Sequence, residues 1–128
     1  MFAKAFEHYD SFRENRLTKR RFSAALWQEL ITEWSTHFAV RELGKTEEGR
    51  PIHEVKWGEG PIQVIAWSQM HGDEATATMA LADIFRLLSL SEGLASELKQ
   101  KLHQKITLRI IPRLNADGAE KWQRETAL

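Results

Sequence analysis

Hydrophobic and polar positions along the chain alternate with two different periods. In residues 1–36, Phe2, Phe6, Tyr9 and Phe12, and then Phe22, Leu26, Leu30 and Trp34, recur every three or four residues, with Trp27 and Ile31 widening the second stripe. That spacing lines apolar side chains along one side of a 3.6-residue helix, so both stretches predict helices and their aromatics predict a packing face. Arg13, Arg16, Lys19, Arg20 and Arg21 lie between the stripes, diluted by Glu7, Asp10 and Glu14, and read as a solvated helical face.

From Phe38 the period shortens. Phe38, Val40 and residues 42–43 predict a strand, the polar GKTEEG at residues 44–49 a turn, and Ile52, Val55 and Trp57 a second strand, together a β-hairpin. A second turn, Gly58-Glu59-Gly60-Pro61, leads to residues 62–67, whose short β-branched run predicts a buried strand. Residues 75–90 change back to helical spacing, with Met79, Ala80, Ile84, Leu87 and Leu88 on one broad face. Ser91-Glu92-Gly93 ends that helix. A shorter one follows with Leu94, Leu98 and Leu102, and Lys105 is expected to open a last strand over residues 106–111. Strand, helices and strand in this order make a crossover unit with parallel strands. The expected fold class is therefore α/β, with a mixed, mostly parallel sheet and flanking helices, preceded by a helical arm.

Composition adds exclusions. The 128 residues are 42% hydrophobic and 28% charged, the signature of a globular domain with a sizeable core. Eighteen basic residues balance eighteen acidic ones, so no global field points to nucleic acid. The absence of cysteine excludes disulfides, thiolate metal sites and a cysteine nucleophile. No run has the length of a membrane span, and the amino terminus lacks the apolar core of a signal peptide; the default expectation is cytoplasmic.

Candidate chemistry gathers at residues 64–74, VIAWSQMHGDE, where an apolar strand runs into His71 and Glu74. A strand-to-helix junction in an open α/β sheet lies at the carboxyl end of the strands, where ligands bind. Imidazole nitrogen and carboxylate oxygen are suitable zinc donors. By itself H-x-x-E reads either as part of a metal site or as a hydrogen-bonded, solvated histidine beside a carboxylate. Downstream, Pro112 ends the last strand before the turn residues Asn115, Asp117 and Gly118, and Arg124 follows on a stretch expected to be helical.

Three motifs in order, GRPI at residues 49–52, MHGDE at 70–74 and IPRLNADGAEKWQRETA at 111–127, resemble the zinc metallocarboxypeptidases, the carboxypeptidase A-like peptidases. The resemblance covers residues 38–128. It implies one domain: the amino-terminal half of a carboxypeptidase-like (phosphorylase/hydrolase-like) α/β fold over residues 37–128, with the helical arm over 1–36. It further implies that His71 and Glu74 are the first two zinc ligands, and that Arg124 binds substrate, polarises the scissile carbonyl and stabilises the oxyanion. Asn115, Asp117 and Gly118 match a structural turn. Two departures stand out: Ala116 replaces a proline, and Asp73 stands where digestive enzymes carry an arginine, as in the bacterial branch that processes cell-wall peptides or unusual amides. In the family's order the third ligand (a histidine), an asparagine–arginine pair, a tyrosine and the general-base glutamate come after Leu128.

The expected function is zinc-dependent hydrolysis of a peptide or amide small-molecule substrate, with a site incomplete in these 128 residues. No nucleic-acid or membrane partner is expected. The alternatives are an N-acyl amino-acid deacylase of the succinylglutamate desuccinylase type, and a noncatalytic α/β remnant that binds a partner or self-associates through an open sheet edge. His8, His37, His53 and His103 match no family ligand.

Overall fold

The computed structural model describes residues 7–91 and 96–126. Phe2 and Phe6 of the first stripe, Glu92, Gly93 and Leu94 of the inter-helix stretch, and Leu128 lie outside the described residues. Helix α1, Ala24–Trp34, forms where the second stripe predicts it: the Ser23 side chain caps it by accepting the Leu26 N–H at 3.2 Å, and Trp27, Leu30, Ile31 and Trp34 are buried. At the start of the described residues Glu7 is helical, and Tyr9–Ser11 form a 3-10 turn.

The basic cluster is not a helical face. Glu14 is buried and takes a two-pronged contact from Arg16 (2.8 Å to each oxygen), while Arg16 also reaches Glu33 at 2.7 Å. Satisfying that carboxylate and burying Leu17 turns the chain irregularly between residues 12 and 23. Asp83 straps the segment down, accepting from the Tyr9 hydroxyl at 2.5 Å and from the Glu14 N–H at 2.7 Å.

Strands β1 (Ala39–Lys45) and β2 (Pro51–Trp57) form the expected hairpin, closed by Thr46 N–H to Arg50 O at 2.9 Å, with Gly49 at a φ of +78°. Strand β3 is Ile62–Trp67 and β4 is Ile106–Ile111. They pair in parallel from Ile62↔Ile106 to Trp67↔Ile111, joined by α2 (Thr76–Ser89) and α3 (Ser96–Lys105). Lys105 closes α3 instead of opening β4.

The sheet is mixed, with order β1-β2-β4-β3. The weighting toward parallel strands does not hold, because β1–β2 and β2–β4 are both antiparallel. The cause is the link between β2 and β3, which passes across the start of β4 and places β4 beside β2. Gly58 and Gly60 allow that crossing. A Cβ on Gly58 would strike the carbonyl oxygen of Ile106, and one on Gly60 the backbone of Lys105 and Ile106. Gly60 N–H donates to Ile106 O at 3.1 Å, and the Thr107 hydroxyl returns a bond to Gly60 O at 2.7 Å.

One side of the sheet is covered by α1 and α2. Leu30, Trp34, Phe38, Val55, Ala82, Phe85 and Ile110 form the core there, with the Trp34 and Phe85 rings 4.6 Å apart. Strand β3 is not buried as its sequence suggests: the strand order leaves it at the edge, with Ile62, Ile65 and Trp67 59%, 63% and 55% exposed. On the other side of the sheet, Glu54 is buried between Arg41 (2.8 Å) and Arg109 (3.0 Å).

Burial opposes ionisation of Glu14 and Glu54, but hydrogen bonds from Arg16 to the first, and from Arg41 and Arg109 to the second, outweigh it and hold both carboxyls below the usual range. A depressed folded pKa gives stability that is fully present above the unfolded value of about 4.3 and lost as pH falls through the folded value. The thermal midpoint should therefore be level from neutral pH down to about 5 and fall below about 4, with a shallower acid limb in Glu54→Gln. Circular dichroism melts across this range test it; an unchanged acid limb in the variant would remove Glu54 from the effect.

Candidate metal and arginine site

The ladder between β3 and β4 continues past both strands and builds the loop that carries His71 and Glu74. Ser68 N–H donates to Ile111 O, Leu114 N–H to Ser68 O and Asn115 N–H to Gln69 O, each at 3.0 Å. Beneath the loop lies a buried polar knot. The Ser68 hydroxyl donates to Pro112 O at 2.6 Å, the Gln69 amide donates to Gly72 O at 2.8 Å, and the Thr78 hydroxyl reaches Gln69 Oε1 at 3.0 Å. These contacts hold Gln69 at a φ of 49°, a conformation costly for a residue with a side chain.

Gly72 fixes what the loop packs against. Its N–H donates to Arg124 O at 3.2 Å, and a Cβ at this position would enter the backbone of Gly118 and Ala119 and the carbonyl oxygen of Gln123. Those residues belong to α4 (Ala116–Lys121) and its exit. The residues expected as a turn, Asn115, Asp117 and Gly118, instead cap and begin this helix. Asn115 Oδ1 accepts from Gly118 N–H at 2.8 Å and from the Thr126 hydroxyl at 2.7 Å. Trp122 at a φ of 57° ends α4, so Arg124 follows the helix on an irregular segment and is not helical as expected.

That segment brings Arg124 to the loop. Its Nη1 lies 2.6 Å from Glu74 Oε1, joining positions 50 residues apart, with both side chains more than half exposed. His71 is half-buried in the same turn, where the Glu74 N–H donates to its carbonyl at 3.1 Å.

A second link explains why GRPI and NADG occur together. Asp117 is 1% exposed and accepts from the Thr46 hydroxyl and Arg50 Nη1, both at 2.7 Å, and from Glu48 N–H at 3.2 Å. Burial pushes its carboxyl up, but these bonds outweigh burial and hold it below the usual range. The hairpin tip is thereby tied to α4, reinforced by Lys121 with Glu48. Arg113, unremarked in the sequence, is buried with its guanidinium 5.5 Å from the Phe22 ring and 5.7 Å from Trp27, tying the end of β4 to the base of α1. Ser68, Gln69 and Thr78 were equally unmarked; the first two carried the signal of being polar directly after an apolar strand, and Thr78, in the first turn of α2, carried none.

As a zinc site, the donors present are of the right kind but too few. Among the described residues no group of three or more His, Cys, Asp or Glu is placed to hold a metal ion. His103 sits in the last turn of α3, edge-on to Trp57 at 5.2 Å. His53 lies on β2 opposite Glu42, and burial, against the Glu42 charge, pushes its imidazole pKa down.

An α/β sheet with its candidate residues on the loop after β3 and the segment after α4 matches a known fold. A family profile described as zinc carboxypeptidase matches residues 24–128, and the chain belongs to that family. Among solved structures it is similar to a metallo-carboxypeptidase from Burkholderia cenocepacia (23% identity over 83% of this chain and 30% of that one, TM-score 0.73). It is also similar to a carboxypeptidase A-type protein from Shewanella denitrificans (22%, 83% and 29%, TM-score 0.74). A third is a Pseudomonas aeruginosa metallo-carboxypeptidase in complex with (2-guanidinoethylmercapto)succinic acid (20%, 83% and 29%, TM-score 0.63). The chain thus spans 29–30% of the length of these structures, whose likeness is one of fold. No curated protein matches it. Among the described residues no helix is long and apolar enough to cross a membrane.

Gly72→Ala should lower stability by about 1–3 kcal/mol, the usual cost of overpacking, because the added methyl meets backbone that cannot rotate away. Denaturant unfolding measures it. A variant as stable as the native chain would show that α4 does not press on the loop.

Proposed function

We propose that this chain carries the metal-loop and arginine part of a zinc-dependent carboxypeptidase site that hydrolyses peptide or amide bonds. The observation that carries the reading is the contact of Arg124 with Glu74, which brings together two of the three residues that the motifs single out. Family membership supports it. In this reading His71 and Glu74 hold zinc through imidazole nitrogen and carboxylate oxygen, and a further donor completes the set. Zinc, when bound, supplies a Lewis acid and a bound water with its pKa lowered to about 7. Arg124, in this reading, supplies a cation that donates to the oxygen on which negative charge develops. The main-chain bond from Gly72 N–H to Arg124 O ties the segment that carries this cation to the loop.

With two protein donors, purified chain should bind zinc more weakly than about 1 μM, and His71→Ala should abolish the binding heat. Calorimetry decides it: equal zinc affinity in the two chains would remove His71 from the site. In any form of the protein that hydrolyses peptides, Arg124→Ala should lower kcat about 100-fold or more.

A second reading rests on β3, whose exposed Ile62, Ile65 and Trp67 carry no charge among them. Uncharged, apolar sheet edges associate. We infer that chains pair through this edge. Sedimentation velocity should then show a concentration-dependent dimer that Ile65→Lys returns to monomer; a monomer across concentrations would exclude the pairing.

A further inference from the structure

The side of the sheet away from α1 and α2 gathers three cations around one carboxylate. Register sets Arg41 across from Glu54, Ala39 across from Lys56, and Lys56 across from Arg109, so side chains of β1, β2 and β4 share that side. With Val40 and Gln63 they line a pocket of about 330 Å³. None of its lining residues belongs to the loop after β3 or to the segment after α4, so the pocket is separate from the candidate metal and arginine site.

Glu54 is buried and uses both of its oxygens on the two arginines. Oε1 accepts from Arg41 Nε at 2.8 Å and from Arg109 Nη2 at 3.2 Å, and Oε2 accepts from Arg109 Nε at 3.0 Å. These bonds set two guanidiniums side by side. Both Nη groups of Arg41, Nη1 of Arg109 and Nζ of Lys56 make no hydrogen bond among the described residues. Three cations against one carboxylate leave two positive charges uncompensated in the lining. Like charges this close repel, and an anion seated among them relieves the repulsion.

That arrangement sets the class of ligand. A guanidinium presents planar N–H pairs that match the oxygens of a phosphate or a carboxylate, and a lysine adds a mobile point charge. One negative charge would leave the lining positive, whereas two neutralise it. The lining holds no aromatic side chain on which a base or ring could stack, so recognition falls to charge and hydrogen bonds. We propose that this pocket binds a small, doubly charged oxyanion of the phosphoryl or dicarboxylate type through Arg41, Lys56 and Arg109. Glu54 is the positioning residue that orients both guanidiniums, and the small Ala39 side chain leaves room between Arg41 and Lys56.

A solvated basic surface attracts anions without saturating at one place. A built pocket saturates, prefers two charges to one and depends on its own cations. The test is a nuclear magnetic resonance titration of the full chain with sodium phosphate, sodium succinate and sodium chloride at matched ionic strength, above neutral pH, where phosphate is mostly doubly charged. Phosphate, succinate or both should shift the amide signals of Arg41, Lys56 and Arg109 with saturation and a Kd on the order of 1 mM, and chloride should not. Saturation by phosphate alone assigns a phosphoryl group, by succinate alone a dicarboxylate, and by both any dianion of that size; each supports the pocket. Lys56→Gln and Arg41→Gln should each weaken binding roughly fivefold, while Arg20→Gln, at an exposed cation outside the pocket, should leave it unchanged. Shifts that stay linear with both dianions, an equal response to chloride, or the same weakening in Arg20→Gln would overturn the proposal. Arg41 and Lys56 are exposed, so these variants should fold, and a dispersed amide spectrum confirms it.

Discussion

The arrangement depends on one close approach, the backbone of Gly72 lying directly against the backbone of α4 and its exit. Without a side chain at that point, the loop after β3 and the segment after α4 come close enough to share a hydrogen bond. Catalytic and binding groups need positions held to a fraction of an ångström, and a backbone contact holds better than two long side chains can. Glu74 and Arg124 meet in the open, where an ion pair alone contributes little. The backbone contact beneath them brings their two segments together.

Polar groups taken out of water do the remaining positioning. Ser68, Gln69 and Thr78 satisfy one another and Pro112 under the loop, and Asp117 draws together Thr46, Glu48 and Arg50 from the hairpin tip. Each leaves a costly unmet donor or acceptor if the partner moves, so together they specify one arrangement. Arg113 serves the same end by a different interaction, its guanidinium lying over Phe22 and Trp27 at the base of α1. The sheet's carboxyl end is thus held from the hairpin, from α1 and from α4.

The two sides of the sheet are unequal. Aromatic and aliphatic packing of α1 and α2 closes one, with Phe85 touching both Trp34 and Phe38. The other carries Arg41 and Arg109 folded over Glu54, and β3 ends the sheet with apolar groups in water. A strand apolar toward both sides is the pattern of a covered, interior strand. In this structure its outer edge is open among the described residues.

Local sequence determined the existence and type of α1, α2 and the four strands: helical spacing marks the two helices, and short apolar runs bounded by turn residues mark the strands. The three motifs singled out His71, Glu74 and Arg124 through their resemblance to the zinc metallocarboxypeptidases; residue type does not, since the chain holds five histidines and eighteen residues of each charge. Strand order was not legible, because nothing local tells β3 that the link through Gly58 and Gly60 crosses the start of β4. Nor was the irregular path of residues 12–23, which follows from a buried carboxylate finding Arg16 and from Asp83 lying 69 positions from Glu14. The turn read at Asn115 became a helix start because its side chain caps Gly118, and Arg124 left helical geometry because Trp122 adopts a left-handed conformation. Side-chain identity set which groups were available, and long-range backbone contacts decided which of them meet.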